Sequence, residues 1–164
     1  KNNPIIKDKY DQIFSPQTAY QITSMLRGVV ERGTGKKLKN LKLEIAGKTG
    51  TTNKNTDTWF IGLTSNLVVG VYVGYDNPKS LGKYETGSKT AMPIFKDFIK
   101  KTSNTNNSRP FKVAENIKMM VVDAKTGKKA NSQTKQTIIE SFKKNNLIND
   151  FDSRFKNVNI LKFY

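Results

Sequence analysis

The chain has 164 residues, 29 Lys and Arg against 13 Asp and Glu, and a formal charge of +16, which is enough chain for one ordinary domain with a core of its own. It contains no Cys and no His, which excludes disulfides, thiolate metal sites, the commonest zinc ligand and the commonest general base, so acid–base chemistry falls to Lys, Asp, Glu, Tyr or water. The positive balance favours anionic surroundings (nucleic acid, acidic lipid or an anionic polymer) or serves solubility alone, and charge does not choose between these.

Residues 1 to 14 read as an extended lead-in. At Ser15-Pro16, Ser can cap a helix and Pro suits its first turn. Ala19, Ile22, Leu26 and Val29 then recur at helical spacing, with Met25 and Val30 beside them, until Gly33. This predicts a helix over 16–32. The segment GTGKKLKN is glycine-rich and basic and reads as a loop. From Leu41 the period changes to two: Leu41, Leu43 and Ile45 alternate with Lys42, Glu44 and Ala46, which predicts a half-buried strand running to about Thr51.

Asn53-Lys54-Asn55 is a turn signal, TWFIGL a second strand, Ser65-Asn66 a turn and LVVGVYVGY a third strand. The short connections predict an antiparallel meander. In TWFIGL, one of Trp59 and Phe60 is expected in the core and the other against a helix. After a loop from Asp76 to Lys89, the positions Ala91, Ile94, Phe95, Phe98 and Ile99 mark an amphipathic helix with Pro93 in its first turn.

The polar run TSNTNNSRP, residues 102–110, reads as a linker. Beyond it, IKMMVVDAKTGKKA reads as a short hairpin turning at Ala124 to Gly127, and Ile138 to Phe142 as a helical segment. The last twenty residues mix Asn, Lys and Phe without a period, and no internal repeat is present. The apolar stretch from Leu67 is far shorter than the ~20 residues of a membrane helix. Export or anchoring would require a segment outside this chain.

The stretch AGKTGTTN is the focus of the chemistry. Gly47, Lys48 and Thr49 match the end of a phosphate-binding loop, but the first glycine of that pattern falls on Lys42, and a turn and strand follow where the pattern needs a helix. The dinucleotide pattern fails at Leu38. The other reading is a lysine-threonine-glycine strand edge beside a nucleophile, one of three elements used together by penicillin-recognising acyl-serine enzymes. Side chains alternate along a strand, so Thr49 and Thr51 share one face and Lys48 and Gly50 the other. Two hydroxyls can bind a carboxylate, an ammonium attracts it, and a backbone N–H on the outer edge can serve an oxyanion. Gly50 keeps the strand thin where a substrate approaches. Three letters are weak evidence alone. The same tripeptide recurs at Lys125-Thr126-Gly127, where a tight turn explains it better.

The neighbourhood lifts the first copy. AGKTGTTN, DTWFIGL, VVGVYVGYD and ETGSKTAMPIF, preceded by SPQTAYQITSMLRGVVERGTGKK, together resemble the transpeptidase domain of class A penicillin-binding proteins. The resemblance covers roughly residues 12–100 and, more loosely, PFKVAENIKMMVVDAKTG. It implies an α+β fold, an antiparallel sheet flanked by helices, forming an incomplete part of the serine β-lactamase and penicillin-binding transpeptidase fold. Residues 1–102 would be the C-terminal part of that domain, and residues 103–164 a C-terminal extension of linker, hairpin and tail.

The resemblance further implies an acyl-serine D,D-transpeptidase acting on peptidoglycan stem peptides and lipid-linked precursor, trapped by β-lactams, with no cofactor or metal. Lys48 would be the electrostatic element, Thr49, Gly50 and Thr51 would contact the substrate, and the Thr51 N–H would be half of the oxyanion hole. Glu85 and Thr86 would lie near the site, with an ordinary loop as the other reading. S-x-x-K occurs at Ser141–Lys144 and Ser153–Lys156, after the strand and in weakly patterned sequence, and is taken as chance; no serine is followed two places on by Asn. The nucleophile is therefore expected from the remainder of the same polypeptide. The resemblance places the protein at the periplasmic face of the inner membrane, joined to a glycosyltransferase domain and an anchor not in this chain.

Two rivals stand beside this reading. A basic module for nucleic acid or another polyanion rests on charge alone, and the cations are spread, 17 of 29 before residue 103 and 12 after, where a dedicated groove would concentrate them. Nucleic acid is therefore not the expected partner. Alternatively, the region after residue 102 is an accessory element that docks on a cell-wall synthesis partner.

Overall fold

The computed structural model describes residues 11–102 and 109–146. The lead-in before Asp11, most of the polar linker, the tail from Leu147 and the Ser153–Lys156 motif lie outside the described residues.

The first helix, α1, spans Pro16–Glu31. The Ser15 hydroxyl accepts the Thr18 N–H at 3.2 Å, and Pro16 fills the first turn, so the expected start signal operates as written. The buried face differs from the expected stripe. Tyr20, Ser24, Gly28, Val29 and Val30 are buried, whereas Ile22 and Met25 are about half exposed. Ser24 and Gly28 are small, which lets neighbouring elements approach the helix closely.

The loop and strand expected between residues 33 and 45 are corrected. Lys36–Leu41 forms a 3-10 helix, and Lys42 then takes a left-handed conformation, φ 54°. Leu38 is completely buried, and Leu41 and Leu43 pack against the core. Their alternation came from three apolar anchors on an irregular segment, not from a pleat. The strand proper, β1, is only Ala46–Thr51.

β2 spans Asp57–Leu63 and β3 spans Val68–Gly74, and the sheet runs β1-β2-β3 with both pairings antiparallel. The meander is as expected. α2, Ala91–Thr102, covers one face of it together with α1. Thr58, Phe60 and Gly62 of β2 point to that covered face, opposite Val73, Val71 and Val69 of β3. Phe60 is completely buried and tilts against Phe95 of α2 with ring centroids 4.9 Å apart, a geometry that adds to the roughly 1.5–3 kcal/mol of burying each ring. Leu38, Ile45, Met92 and Ile99 complete this core.

The other face of the sheet carries Trp59, Ile61, Val68 and Tyr72, all substantially exposed. Phe60 thus both fills the core and meets a helix, while Trp59 meets Tyr72, centroids 4.9 Å apart, on the opposite side. The expectation that one ring would be core and the other would face a helix is corrected accordingly.

The last elements are β4, Ile117–Asp123, and β5, Thr137–Lys143, an antiparallel pair. Two expectations change here. Residues 138–142 form a strand, because Ile138 to Phe142 pair with Val122 to Lys118 along a complete ladder. The turn after Asp123 is present, with Gly127 N–H donating to Asp123 O at 2.8 Å, but beyond it only a single bridge, Val122 to Lys129, forms before the chain loops on to β5.

β5 lies against α1. Gln21 donates to the Ser141 carbonyl at 3.0 Å, Lys143 to the Thr18 hydroxyl at 2.7 Å, and Arg32 pairs with Glu140 at 2.5 Å. Glu44 links the segment leading into the hairpin, accepting the Phe111 N–H at 2.7 Å while pairing with Arg27 at 2.9 Å.

Candidate active site

β1 is an edge strand of its sheet among the described residues, and what it presents follows from its register. The Thr52 N–H donates to the Asp57 carbonyl at 3.0 Å, toward β2. In an antiparallel ladder the backbone groups alternate sides, so those of Gly50 and Lys48 also face β2, and those of Thr51, Thr49 and Gly47 face outward. The Thr51 N–H is thereby on the open edge.

The side chains sort independently of the edge. Thr49 pairs with Phe60 and Thr51 with Thr58, on the helix-covered side; Lys48 pairs with Ile61 and Gly50 with Trp59, on the other. The flexible Lys48 stem folds back along the edge, and its ammonium donates to the outward carbonyl of Thr49 at 2.8 Å. The cation, two hydroxyls and an amide therefore collect along one strand edge of four residues.

Two loops brace that edge. At the C-terminal end of α1, the N–H groups of Gly33 and Gly35 both donate to the Val29 carbonyl, at 3.1 and 2.9 Å. This clamped turn places the Thr34 hydroxyl 3.2 Å from the Thr49 hydroxyl. On the other flank, the Gly87 N–H donates to the Thr51 hydroxyl at 3.2 Å. Gly87 sits so close to the sheet that a Cβ would lie 2.3 Å from the Trp59 carbonyl oxygen and 2.7 Å from that of Gly50. The loop is held there by the Thr90 N–H donating to the Thr86 carbonyl at 3.0 Å and by the paired hydroxyls of Thr58 and Thr90 at 2.5 Å. The Asn55 amide donates to the Glu85 carbonyl at 2.7 Å, so Glu85 and Thr86 do lie in the segment that flanks β1.

From sequence, the Thr34–Lys37 loop could line the cleft but reads better as a solvated turn, and Gly87 falls in the Asp76 to Lys89 loop with no role. The signal available for both was a glycine pattern, GTG and ETGS. A close backbone approach leaves no other mark in sequence.

On the uncovered face, the Tyr72 hydroxyl donates to Asp57 at 2.7 Å. That hydrogen bond, with some burial and the negative charge of Asp57, raises the phenol above its ordinary value. Asp57 also accepts from Thr56 at 3.1 Å, so the β1–β2 turn is tied to β3 through one carboxylate.

The second lysine-threonine-glycine is a turn. Asp123 accepts the Lys125 and Thr126 N–H groups at 2.7 and 2.9 Å, and Gly127 has φ 68°. Ser141 is buried in β5 against α1. The S-x-x-K spacing also occurs at Ser80–Lys83 and Ser132–Lys135, both in loops outside any helix. A helical turn is what would set a serine and a lysine three apart side by side. Among the described residues no group of three His, Cys, Asp or Glu could hold a metal ion, and no helix is long and apolar enough to cross a membrane.

Residues 6–100 match the family described as penicillin binding protein transpeptidase domain. Penicillin-binding protein 1A of Rickettsia conorii is 48% identical over 143 residues, 87% of this chain and 18% of that protein. Penicillin-binding protein 1A of Pseudomonas aeruginosa is 37% identical over 134 residues, 81% of this chain and 16% of that protein. The crystal structure of penicillin-binding protein 1A from Haemophilus influenzae superposes with a TM-score of 0.71 at 30% identity, over 80% of this chain and 21% of that one. The chain thus spans about a fifth of the relatives it matches, and neither they nor the fold support the polyanion-binding alternative. By the family match over residues 6–100, the chain belongs to the penicillin-binding protein transpeptidase domain family.

Proposed function

We propose that this chain is the C-terminal part of a peptidoglycan D,D-transpeptidase, with residues 1–102 in the transpeptidase domain and residues 103–164 as a C-terminal extension. The observation that carries this reading is the open β1 edge, where Lys48, Thr49 and Thr51 meet an outward amide.

A serine from polypeptide outside this chain attacks the penultimate D-alanine carbonyl of a stem peptide. The C–N bond to the terminal D-alanine breaks, and an amine of a second stem peptide takes the acyl group. The terminal carboxylate lies against the Thr49 and Thr51 hydroxyls with the Lys48 ammonium adding attraction, while Gly50 leaves room for the peptide. The Thr51 N–H donates to the oxyanion as the carbonyl becomes tetrahedral, a contact that strengthens in the transition state. A β-lactam enters by the same carboxylate and leaves the serine acylated.

The remainder of the polypeptide has a second task. The uncovered face with Trp59, Ile61, Val68 and Tyr72, and the Ile22–Met25 side of α1, are apolar surfaces that it would bury. It would also hold the glycosyltransferase domain and the membrane anchor, placing this segment on the periplasmic face of the inner membrane.

A fluorescent penicillin tests the reading. The full-length protein should form a covalent adduct, and residues 1–164 alone should not. An adduct on the isolated chain that Ser141→Ala abolishes would instead make Ser141 the nucleophile.

A further inference from the structure

We infer that Thr34 is a positioning residue that keeps the Thr49 hydroxyl available as a proton donor to an anionic ligand. The inference rests on the transpeptidase reading above and assigns a task to the turn after α1.

The argument is one of proton inventory. A threonine hydroxyl has a single proton to donate and two lone pairs that accept. To bind a carboxylate, which only accepts, each hydroxyl on the β1 edge must spend that proton on the ligand. Thr51 is prepared for this, because one of its lone pairs is engaged by the Gly87 N–H, a group that cannot accept. Thr49 has the Thr34 hydroxyl, 3.2 Å away, in the equivalent place. When a carboxylate arrives, Thr34 donates to Thr49 and Thr49 donates to the ligand. The two protons then run in one direction, toward the charge. Each hydroxyl of the pair is thus backed by a donor from a different loop.

Thr34 is held where this requires. The turn on which it sits is pinned from before and after by the Gly33 and Gly35 N–H groups on the Val29 carbonyl. The following residues are pinned in turn by the Leu38 N–H on the Gly35 carbonyl at 2.9 Å, with Leu38 itself completely buried. The Cβ direction at Gly35 is also closed, with Val29 and Val30 atoms 3.2 Å away. A free surface turn needs no such anchoring.

The test compares acylation of the full-length protein by a penicillin and by its methyl ester, which lacks the carboxylate charge. Thr34→Val keeps shape and removes the hydroxyl. It should lower the preference for the acid over the ester about tenfold, the scale of one hydrogen bond to a charged group. Thr34→Ser should keep the preference. With Thr49→Val already present, Thr34→Val should have no further effect on it, since the two act as one unit. Equal slowing of acid and ester, or independent losses in the double variant, would reduce Thr34 to a structural turn residue and overturn the inference. A wild-type protein unreactive toward both compounds would instead remove the transpeptidase reading, and the inference with it.

Discussion

The same tripeptide occurs twice in this chain, and its two copies have different structures. Lys48-Thr49-Gly50 is extended on a strand edge, with its side chains sorted by the pleat and its backbone amides alternating between a partner strand and the open edge. Lys125-Thr126-Gly127 is wrapped round the Asp123 carboxylate, and its amides are consumed by the turn. The first copy is braced by loops from both flanks, through Thr34 and Gly87; the second stands on a two-stranded hairpin with an exposed lysine. Chemistry belongs to the placement of these groups, and three letters do not determine placement.

Substituting the lysines tests the contrast most strongly. In the full-length protein, Lys48→Ala should reduce the acylation rate by a penicillin about 10²–10³-fold, the usual effect of removing one preorganised electrostatic element, whereas Lys125→Ala should leave it unchanged. Equal effects in a stopped-flow measurement would erase the distinction between the copies.

The glycines come next. Gly87→Ala puts a methyl within 2.3 Å of a backbone oxygen, so the flanking loop must move away from Thr51. We expect a loss of about 1–3 kcal/mol in chemical denaturation together with slower acylation. Gly127→Ala meets a different obstacle, the left-handed φ of 68°, at a cost of about 1–2 kcal/mol. Its effect should stay within the hairpin, read by hydrogen exchange, with acylation unaltered. Wild-type exchange throughout β4 and β5 in Gly127→Ala would show that the turn is not held by its conformation.

The smallest effect is one of pH. The Asp123 carboxyl is held below its ordinary value by the N–H groups of Thr126 and then Lys125, which bond its ionised form. A carboxylate lowered on folding stabilises the turn above its unfolded value, and that contribution disappears as pH falls through the lowered folded value. The amide resonances of Lys125 and Thr126 should therefore shift together in that acidic window, and Asp123→Asn should remove the transition. Unchanged amides across it would disconnect the carboxylate from the turn. No counterpart is expected at Lys48-Thr49-Gly50, where no side-chain carboxylate takes the backbone amides.

Much was legible from local pattern. Ser15-Pro16 and Gly33 bracket α1, the turn signals separate three strands of a meander, and the Ala91-to-Ile99 spacing marks α2. The failures share a cause. Leu41, Leu43 and Ile45 alternate like a strand, yet they are three anchors dropped into a core from an irregular segment led by Leu38. Ile138 to Phe142 is short enough to pass for a helix, and only its ladder with β4 decides otherwise. On α1, the apolar spacing marked the helix correctly, but it does not show the buried face, which takes in Ser24 and Gly28 with Tyr20, Val29 and Val30.

The sequence by itself determined the family, the element types where periodicity was long, and the alternation of Lys48, Thr49, Gly50 and Thr51 along one strand. Only the tertiary structure decided which edge that strand leaves open, and which loops supply hydrogen-bond partners to its hydroxyls. Thr34 lies 15 residues from Thr49, and Gly87 lies 36 from Thr51. Contacts across such separations are set by how helices and sheet pack, and packing depends on volumes and approach distances that no local pattern encodes.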